Sequence, residues 1–492
     1  VITATPFITQ YHTEFISNWN GSNWNGLNDN PYSEYSWGES VTNYNDVWGY
    51  MDENGNEYAL LGAWEGTYII DISSDSSNPQ KTGFIPGSFS KHRDIKTYGN
   101  YMYIGTEANL SDPDSLINYD VQHIIPQGIQ VVDLADPHNP ILVNEWDLID
   151  QSHNIMEYNG YLYIIGSGTD VNEDGNTSDI IVLDLVSDPS MPTYVGEWSG
   201  HYIHDVCFKD NILYGCGIMN YNANFDDEMF ALDITHPDSI FEIHQWPNVY
   251  AAHACWVSED GNTLYTGQET TNGHIKSWDV TDIGNGNVNL IGEWLPQGGE
   301  NWSAHNLFVK GNYLYISYYV YGLQILDISD PTNMVHIGHY DTFVESSSSE
   351  IYDGAWGAYP YFDSNTVIVS DRYTGLYVVD FDPYNLSINS EPILIPDQIS
   401  IQNIYPNPFN PFTQIEYSLP YVSNIKLTIY DLLGRQVEIL HNGIQHPNNY
   451  TITWDADKYS SGVYLVQLII QDIPNNDKSH ILVQTQKMVL MK

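Results

Sequence analysis

Seven times along this chain an apolar run closes on an aspartate: Asp71, Asp133, Asp184, Asp233, Asp279, Asp327 and Asp380, at spacings of 62, 51, 49, 46, 48 and 53 residues. Each mark sits inside a larger unit. One unit begins at His204-Asp205-Val206-Cys207, turns at Asp210-Asn211, and continues through Leu213-Tyr214, Phe230-Ala231-Leu232-Asp233-Ile234 and Gln245-Trp246. Another runs from His305 through Leu314-Tyr315-Ile316 and Leu323-Gln324-Ile325-Leu326-Asp327-Ile328 to His339-Tyr340. Four short strands per unit, recurring at about 50 residues, predict a seven-bladed β-propeller, because no unit buries its apolar faces without neighbours. A solenoid is the competing arrangement, but it needs atypical capping repeats and none stands out.

The ends of the repeat array predict how the ring closes. Glu14-Phe15-Ile16-Ser17-Asn18-Trp19 resembles a fourth strand such as Val195-Gly196-Glu197-Trp198, while the last repeat stops near Asp382 without one. Pairing the two ends leaves no exposed edge. The turns between first and second strands are short, as at Tyr98-Gly99-Asn100 and Lys310-Gly311-Asn312, and so are those between third and fourth. The longer loops, at 106–127, 166–179, 217–228 and 341–352, gather on the opposite face. Long loops on a rigid scaffold are where binding concentrates, so that face is the expected working surface.

Charge narrows the partners. The chain carries 63 acidic and 14 basic residues, a net −49. From residue 399 onward there are six basic and seven acidic residues, so nearly the whole excess lies before that point and marks a domain boundary. Nucleic acid and anionic membrane are poor partners for such a surface, and divalent cations are good ones. Tyr, Trp, Thr and Asn outweigh helix formers, which reads as all-β. No apolar run approaches the ~20 residues of a membrane-spanning helix. The chain opens at Val1 without a signal peptide, and the expectation is the mature form of an exported protein. Three cysteines, Cys207, Cys216 and Cys255, make no disulfide framework. Cys207 and Cys216 flank a tight turn, placed to face each other across a hairpin; buried free thiols are the plainer alternative.

The expected organisation is a propeller over residues 1–382, a linker at 383–398 containing Pro383, Pro392 and Pro396, and a small Ig-like β-sandwich over 399–492. In the last segment Ile425–Tyr430 and Val463–Leu468 alternate as half-buried strands. This segment resembles the C-terminal sorting domain of the bacterial type IX secretion system, through Tyr405-Pro406-Asn407-Pro408-Phe409-Asn410-Pro411, Tyr430-Asp431-Leu432-Leu433-Gly434-Arg435, Ser461-Gly462-Val463-Tyr464 and Lys487-Met488-Val489-Leu490. The resemblance implies docking with the secretion machinery through residues 399–492. It also implies secretion or attachment at the bacterial cell surface, often with removal of the domain. The first part resembles LVIVD-repeat propellers of the choice-of-anchor B type, through Asn45-Asp46-Val47-Trp48-Gly49-Tyr50, Glu57-Tyr58-Ala59-Leu60-Leu61-Gly62, His92-Arg93-Asp94-Ile95-Lys96 and Gly128-Ile129-Gln130-Val131-Val132-Asp133. That group brings a fold and a location, and no assigned activity.

Three sets of residues are candidates for chemistry. In the loop Asp170 to Asp179, oxygen donors at Asp170, Asn172 and Asp174 followed by Gly175 match the start of an EF-hand calcium loop, with Asn176 and Asp179 as further donors. The twelfth position is Ile181, so the usual bidentate Glu is missing, and a plain polar turn is the alternative. His92, His153, His204, His253 and His305 each open the first strand of a blade, and first strands line the channel. Imidazoles converging on one axis suit copper or zinc, while histidines bonded to neighbouring loops are the structural alternative. Asp46 and Asp353 take the comparable place in the first and last units. Trp146, Trp198, Trp246 and Trp294 recur on outer strands, where packing between blades accounts for them.

No Gly-x-Ser-x-Gly elbow, His-Glu-x-x-His helix or phosphate-cradling loop is present, so no catalytic residues are assigned. The leading expectation is a non-enzymatic binding protein with an unidentified extracellular ligand. A metal-dependent enzyme at the channel mouth and a self-assembling surface component are the alternatives.

Overall fold

A computed structural model describes residues 13–19, 44–88, 90–108, 128–149, 151–169, 171, 177–218, 228–247, 249–296, 302–343, 351–381, 400–419, 423–445, 448–471 and 481–492. These fall into two compact units, one ending at 381 and one beginning at 400.

The first unit is a β-propeller. Its described residues form seven four-stranded antiparallel sheets. In one of them the order is Asp205–Lys209, Ile212–Gly217, Glu228–Asp233 and Phe241–Pro247. Burial falls from the inner strands outward. The second strand Glu57–Ala63 is buried throughout, whereas the fourth strand Ile141–Trp146 is exposed at most positions. Inner strands are covered on both faces by the adjacent sheets, so they read as near-continuous apolar runs such as Ile180-Ile181-Val182-Leu183. The first strands pack each against the next, and Ala355–Tyr359 packs back against Tyr44–Met51.

The ring is closed by strand Thr13–Trp19, which pairs antiparallel with Gly375–Phe381. It behaves as a fourth strand in detail. In each of the other six sheets the ladder between third and fourth strands breaks, as between Val182 and Leu183, whose partners are Gly196 and Tyr194; one of the six breaks a second time, between Asp279 and Asp282. The skipped residue, here Val195, is a bulge that bends the outer strand and adds twist. Strand Thr13–Trp19 carries the same break between Phe15 and Ser17.

Six of the seven repeated aspartates share one job. The Oδ1 of Asp71, Asp133, Asp184, Asp233, Asp279 and Asp327 accepts the backbone N–H two residues on, from Ser73, Ala135, Val186, Thr235, Thr281 and Ser329, at 2.7–3.0 Å. A short carboxylate mimics a backbone turn and ends the third strand there. Glycine is required at the entry to that strand. Gly128 has φ +83°, and a Cβ on it would lie 1.9 Å from Trp146 O.

The hairpin between first and second strands corrects one expectation. Its register sets Cys207 opposite Tyr214 and Cys216 opposite Asp205, so Cys207 and Cys216 do not face each other. The turn takes two residues, Asp210 and Asn211, both with positive φ, and that count offsets the two cysteines by two pairs.

The second unit has two sheets, Ser400–Tyr405, Phe412–Leu419 and Asn448–Asp455 in one, and Gln436–Gln445, Ser423–Asp431, Gly462–Gln471 and Ile481–Leu490 in the other. Ile415, Tyr417 and Trp454 from one share a core with Leu427, Val466, Leu468 and Met488 from the other. The positions expected to form a linker, 383–398, lie outside the described residues. Among the described residues no helix is long and apolar enough to cross a membrane.

Candidate metal centre

The first strands carry their side chains in tiers along the channel, because residues two apart on a strand share a face. His92, Asp94 and Lys96 descend one wall; Asp46 and Trp48, and Asn306 and Phe308, descend others.

The top tier is a closed aromatic ring. Successive ring centroids lie 5.6 Å apart from His92 to His153, 3.9 Å to His204, 4.4 Å to His253, 4.4 Å to His305, 4.2 Å to Trp356, and 5.2 Å back to His92. All five predicted histidines are therefore brought together. Asp353 is not among them; it accepts from Tyr373 Oη at 2.7 Å, and the indole of Trp356 fills the place. Asp46 lies in the tier below.

Two carboxylates that sequence reasoning missed join the ring. Glu107 Oε1 is 2.5 Å from His153 Nδ1, and its Oε2 is 3.6 Å from His92 Nε2. Glu269 Oε2 is 3.7 Å from His253 Nε2, and Glu269 Oε1 accepts from Tyr319 Oη at 2.5 Å. Both glutamates directly follow a second strand, Tyr101–Thr106 and Thr263–Gln268, so aligning the repeats at that position exposes them. Within this cluster, His92, Glu107 and His153 offer ligand atoms within 4.8 Å of one another, and so do His204, His253 and Glu269.

Hydrogen bonds fix which nitrogens are free. A carbonyl only accepts, so His305 Nδ1, 2.6 Å from Trp356 O, carries the proton and leaves Nε2 with its lone pair. The Glu107 carboxylate holds the proton on His153 Nδ1 in the same way. His153 Nε2 then faces His204 Nε2 at 3.0 Å. One proton between them satisfies this contact, and so does one metal ion: ligands at about 2.0–2.1 Å from an ion stand about 3 Å apart. Burial pushes His92 down to about 4, and burial and neighbouring imidazoles push His204 and His305 well below the usual range. Burial also lowers His253. Neutral imidazole is the form that ligates. Burial would raise the Glu107 carboxyl, but the hydrogen bond from His153 and the nearby His92 hold it down to about 2. The donor set, imidazole with carboxylate and no thiolate, fits copper or zinc.

Beneath lies a charged tier. Lys96 Nζ is 2.5 Å from Asp94 Oδ1 and 3.7 Å from Asp46 Oδ2, and sits 4.5 Å above the Trp48 ring. Asn154 Nδ2 donates to Asp205 Oδ1 at 2.8 Å, and Ile155 N–H to Asp94 Oδ2 at 2.7 Å. The next tier is aromatic, with Trp256 5.1 Å and Trp48 6.3 Å from Phe308.

The other candidates lie apart. Asp170, Asn172, Asp174 and Asn176 are outside the described residues; Asp179 is half-buried, and burial pushes its carboxyl up to about 6. Trp146, Trp198, Trp246 and Trp294 all pack against apolar cores.

Comparison with known proteins bears on the fold and the route of export. Residues 403–483 match the family model of the secretion system C-terminal sorting domain, and residues 91–111 and 302–342 match the LVIVD repeat. The chain is thus a β-propeller with LVIVD repeats, carrying a type IX sorting domain that directs it to secretion and the cell surface. No curated protein matches it. Among solved structures it is similar to PorZ, a surface component of the type IX secretion system of Porphyromonas gingivalis, at 14% identity and TM-score 0.42; it covers 91% of this chain and 60% of PorZ. It is also similar to hydrazine synthase of Kuenenia stuttgartiensis, at 11% identity and TM-score 0.48 over 70% of this chain and 97% of that one. A third is the periplasmic gluconolactonase PpgL of Pseudomonas aeruginosa, at 10% identity and TM-score 0.47 over 84% and 99%. These likenesses carry nothing about activity.

Proposed function

We propose that this chain is an exported seven-bladed propeller that binds a transition-metal ion, copper or zinc, at its channel mouth, as a binding protein and not an enzyme. The observation that carries the reading is the 3.0 Å approach of His153 Nε2 to His204 Nε2 inside a ring of five imidazoles. Glu107 supports it by holding His153 through Nδ1, the carboxylate–histidine–metal arrangement that orients a ligand and raises its basicity. His253 and His92 flank the pair and complete the coordination. The net charge of −49 favours the approach of cations.

The test is elemental analysis of the full chain purified without an affinity metal column, followed by copper and zinc titration by calorimetry. About one equivalent per chain is expected, with the double variant His153→Ala/His204→Ala taking up none while keeping its circular dichroism. A wild type that takes up neither metal, or a folded double variant that binds as well as wild type, overturns the reading.

A further inference from the structure

The three cysteines lie together beside the channel, with Cys255 two residues beyond His253 on the same strand and next to the charged tier, and the export route changes what they are. Cys207 is on strand Asp205–Lys209, Cys216 on Ile212–Gly217 and Cys255 on Ala252–Val257. The first two strands belong to one sheet and the third opens the next. All three side chains are buried, at 2% exposure or less. Cys255 Sγ is 2.8 Å from Cys207 Sγ and 3.4 Å from Tyr214 O, and Cys216 belongs to the same buried cluster. The surrounding core is apolar, with Tyr214, Met229, Ala252 and Leu264 close by.

We propose that Cys207 and Cys255 form a disulfide in the exported protein, joining two adjacent blades, and that Cys216 remains the single thiol. Three observations carry this. The two sulfurs already meet, so closing the bond asks for less than 1 Å of movement toward the ~2.05 Å of a disulfide. The cysteines are on adjacent sheets that share no ladder hydrogen bonds, so the bond adds a connection that the backbone lacks. The sorting domain takes the chain through and beyond an oxidising compartment, where such a pair is oxidised. Cys216 is excluded as a partner for Cys207 by the hairpin register, which sets it opposite Asp205.

The step balances with a disulfide oxidant of the thiol-exchange class. The Cys255 thiolate attacks the oxidant's disulfide, giving a mixed disulfide and releasing one oxidant thiol. Cys207 then loses its proton, attacks Cys255 Sγ and expels the second. Two cysteines are oxidised by two electrons, one disulfide is reduced to two thiols, and the two protons go with them. Because the thiols are buried in the folded chain, the exchange belongs to the folding stage.

The experiment is thiol trapping on the full chain secreted by its native route, denatured in alkylating agent without reductant and mapped by mass spectrometry. The expected result is one alkylated cysteine, Cys216, and a Cys207–Cys255 cross-linked peptide two hydrogens lighter than the reduced pair. Three alkylated cysteines, or a cross-link that includes Cys216, overturns the proposal. Cys216→Ser should keep the cross-link, and loss of it there also counts against the proposal. With the cysteines 48 positions apart, Cys207→Ser should melt about 5 °C lower than wild type, and reductant present during refolding should reproduce that shift.

Discussion

Replacing Lys96 by Met tests whether the charged tier holds the channel together. Lys96 is buried, with 5% of its side chain exposed, and its ammonium touches Asp94, Asp46 and the face of Trp48. Burial and the neighbouring Asp94 push Asp46 up, so it keeps its proton. Burial is the largest influence on Asp94 too, but the charge of Lys96 together with the hydrogen bonds from Lys96, Asp46 and Ile155 N–H holds that carboxyl below the usual range. The trio therefore carries one negative and one positive charge, and methionine leaves the negative one alone. Removing one partner of a buried pair costs about 3–5 kcal/mol. Ile155 N–H still serves Asp94 Oδ2, which places the loss near the lower end, about 3 kcal/mol. For a unit this large that is a fall of about 4 °C in melting temperature. Urea unfolding and calorimetry of Lys96→Met measure both. Adding Asp94→Asn should restore more than half, because the amide oxygen still accepts from Ile155. A single variant that loses less than about 1 kcal/mol, or a double variant no better than the single, refutes the account.

Three other outcomes are expected. Glu107→Gln should weaken metal binding by about 10–100-fold while the protein stays folded, because the amide orients His153 without supplying charge; calorimetric titration checks it. Asp46→Asn should gain on wild type as pH rises. A carboxyl raised in the folded state contributes fully below the ordinary value of about 4 and loses that contribution as pH climbs toward the folded one, whereas the amide has no proton to lose. Melting curves from pH 4 to 8 should show a widening gap, and a constant gap refutes it. Calcium held by the 170–179 loop should make the melting temperature fall on chelation, with Asp174→Ala abolishing the response; a wild type indifferent to chelator removes calcium from the account.

The parts of this molecule that were legible in its sequence are those set by short-range rules. An aspartate two residues before a backbone N–H that it caps recurs at six of the seven third strands, so the repeat and the all-β class follow from spacing. The five histidines were legible because each opens a first strand. Glu107 and Glu269 were not, because each approaches a histidine of another segment, and Trp356 took the place expected for Asp353 through a bulge between Ala355 and Gly357. The cysteine arrangement failed for the opposite reason. Proximity in sequence suggested Cys207 with Cys216, while packing between sheets brought up Cys255 from 48 residues away.

The strand that closes the ring also sets a schedule. Thr13 pairs with Phe381, which the ribosome adds roughly 370 residues later. At about 5–20 residues per second, the first-made strand waits on the order of 20–70 s for its partner. All strands of the other six sheets are made in that interval, while the seventh sheet still lacks Gly375–Phe381. Until Gly375–Phe381 is made, the first strand has no partner and the ring cannot close.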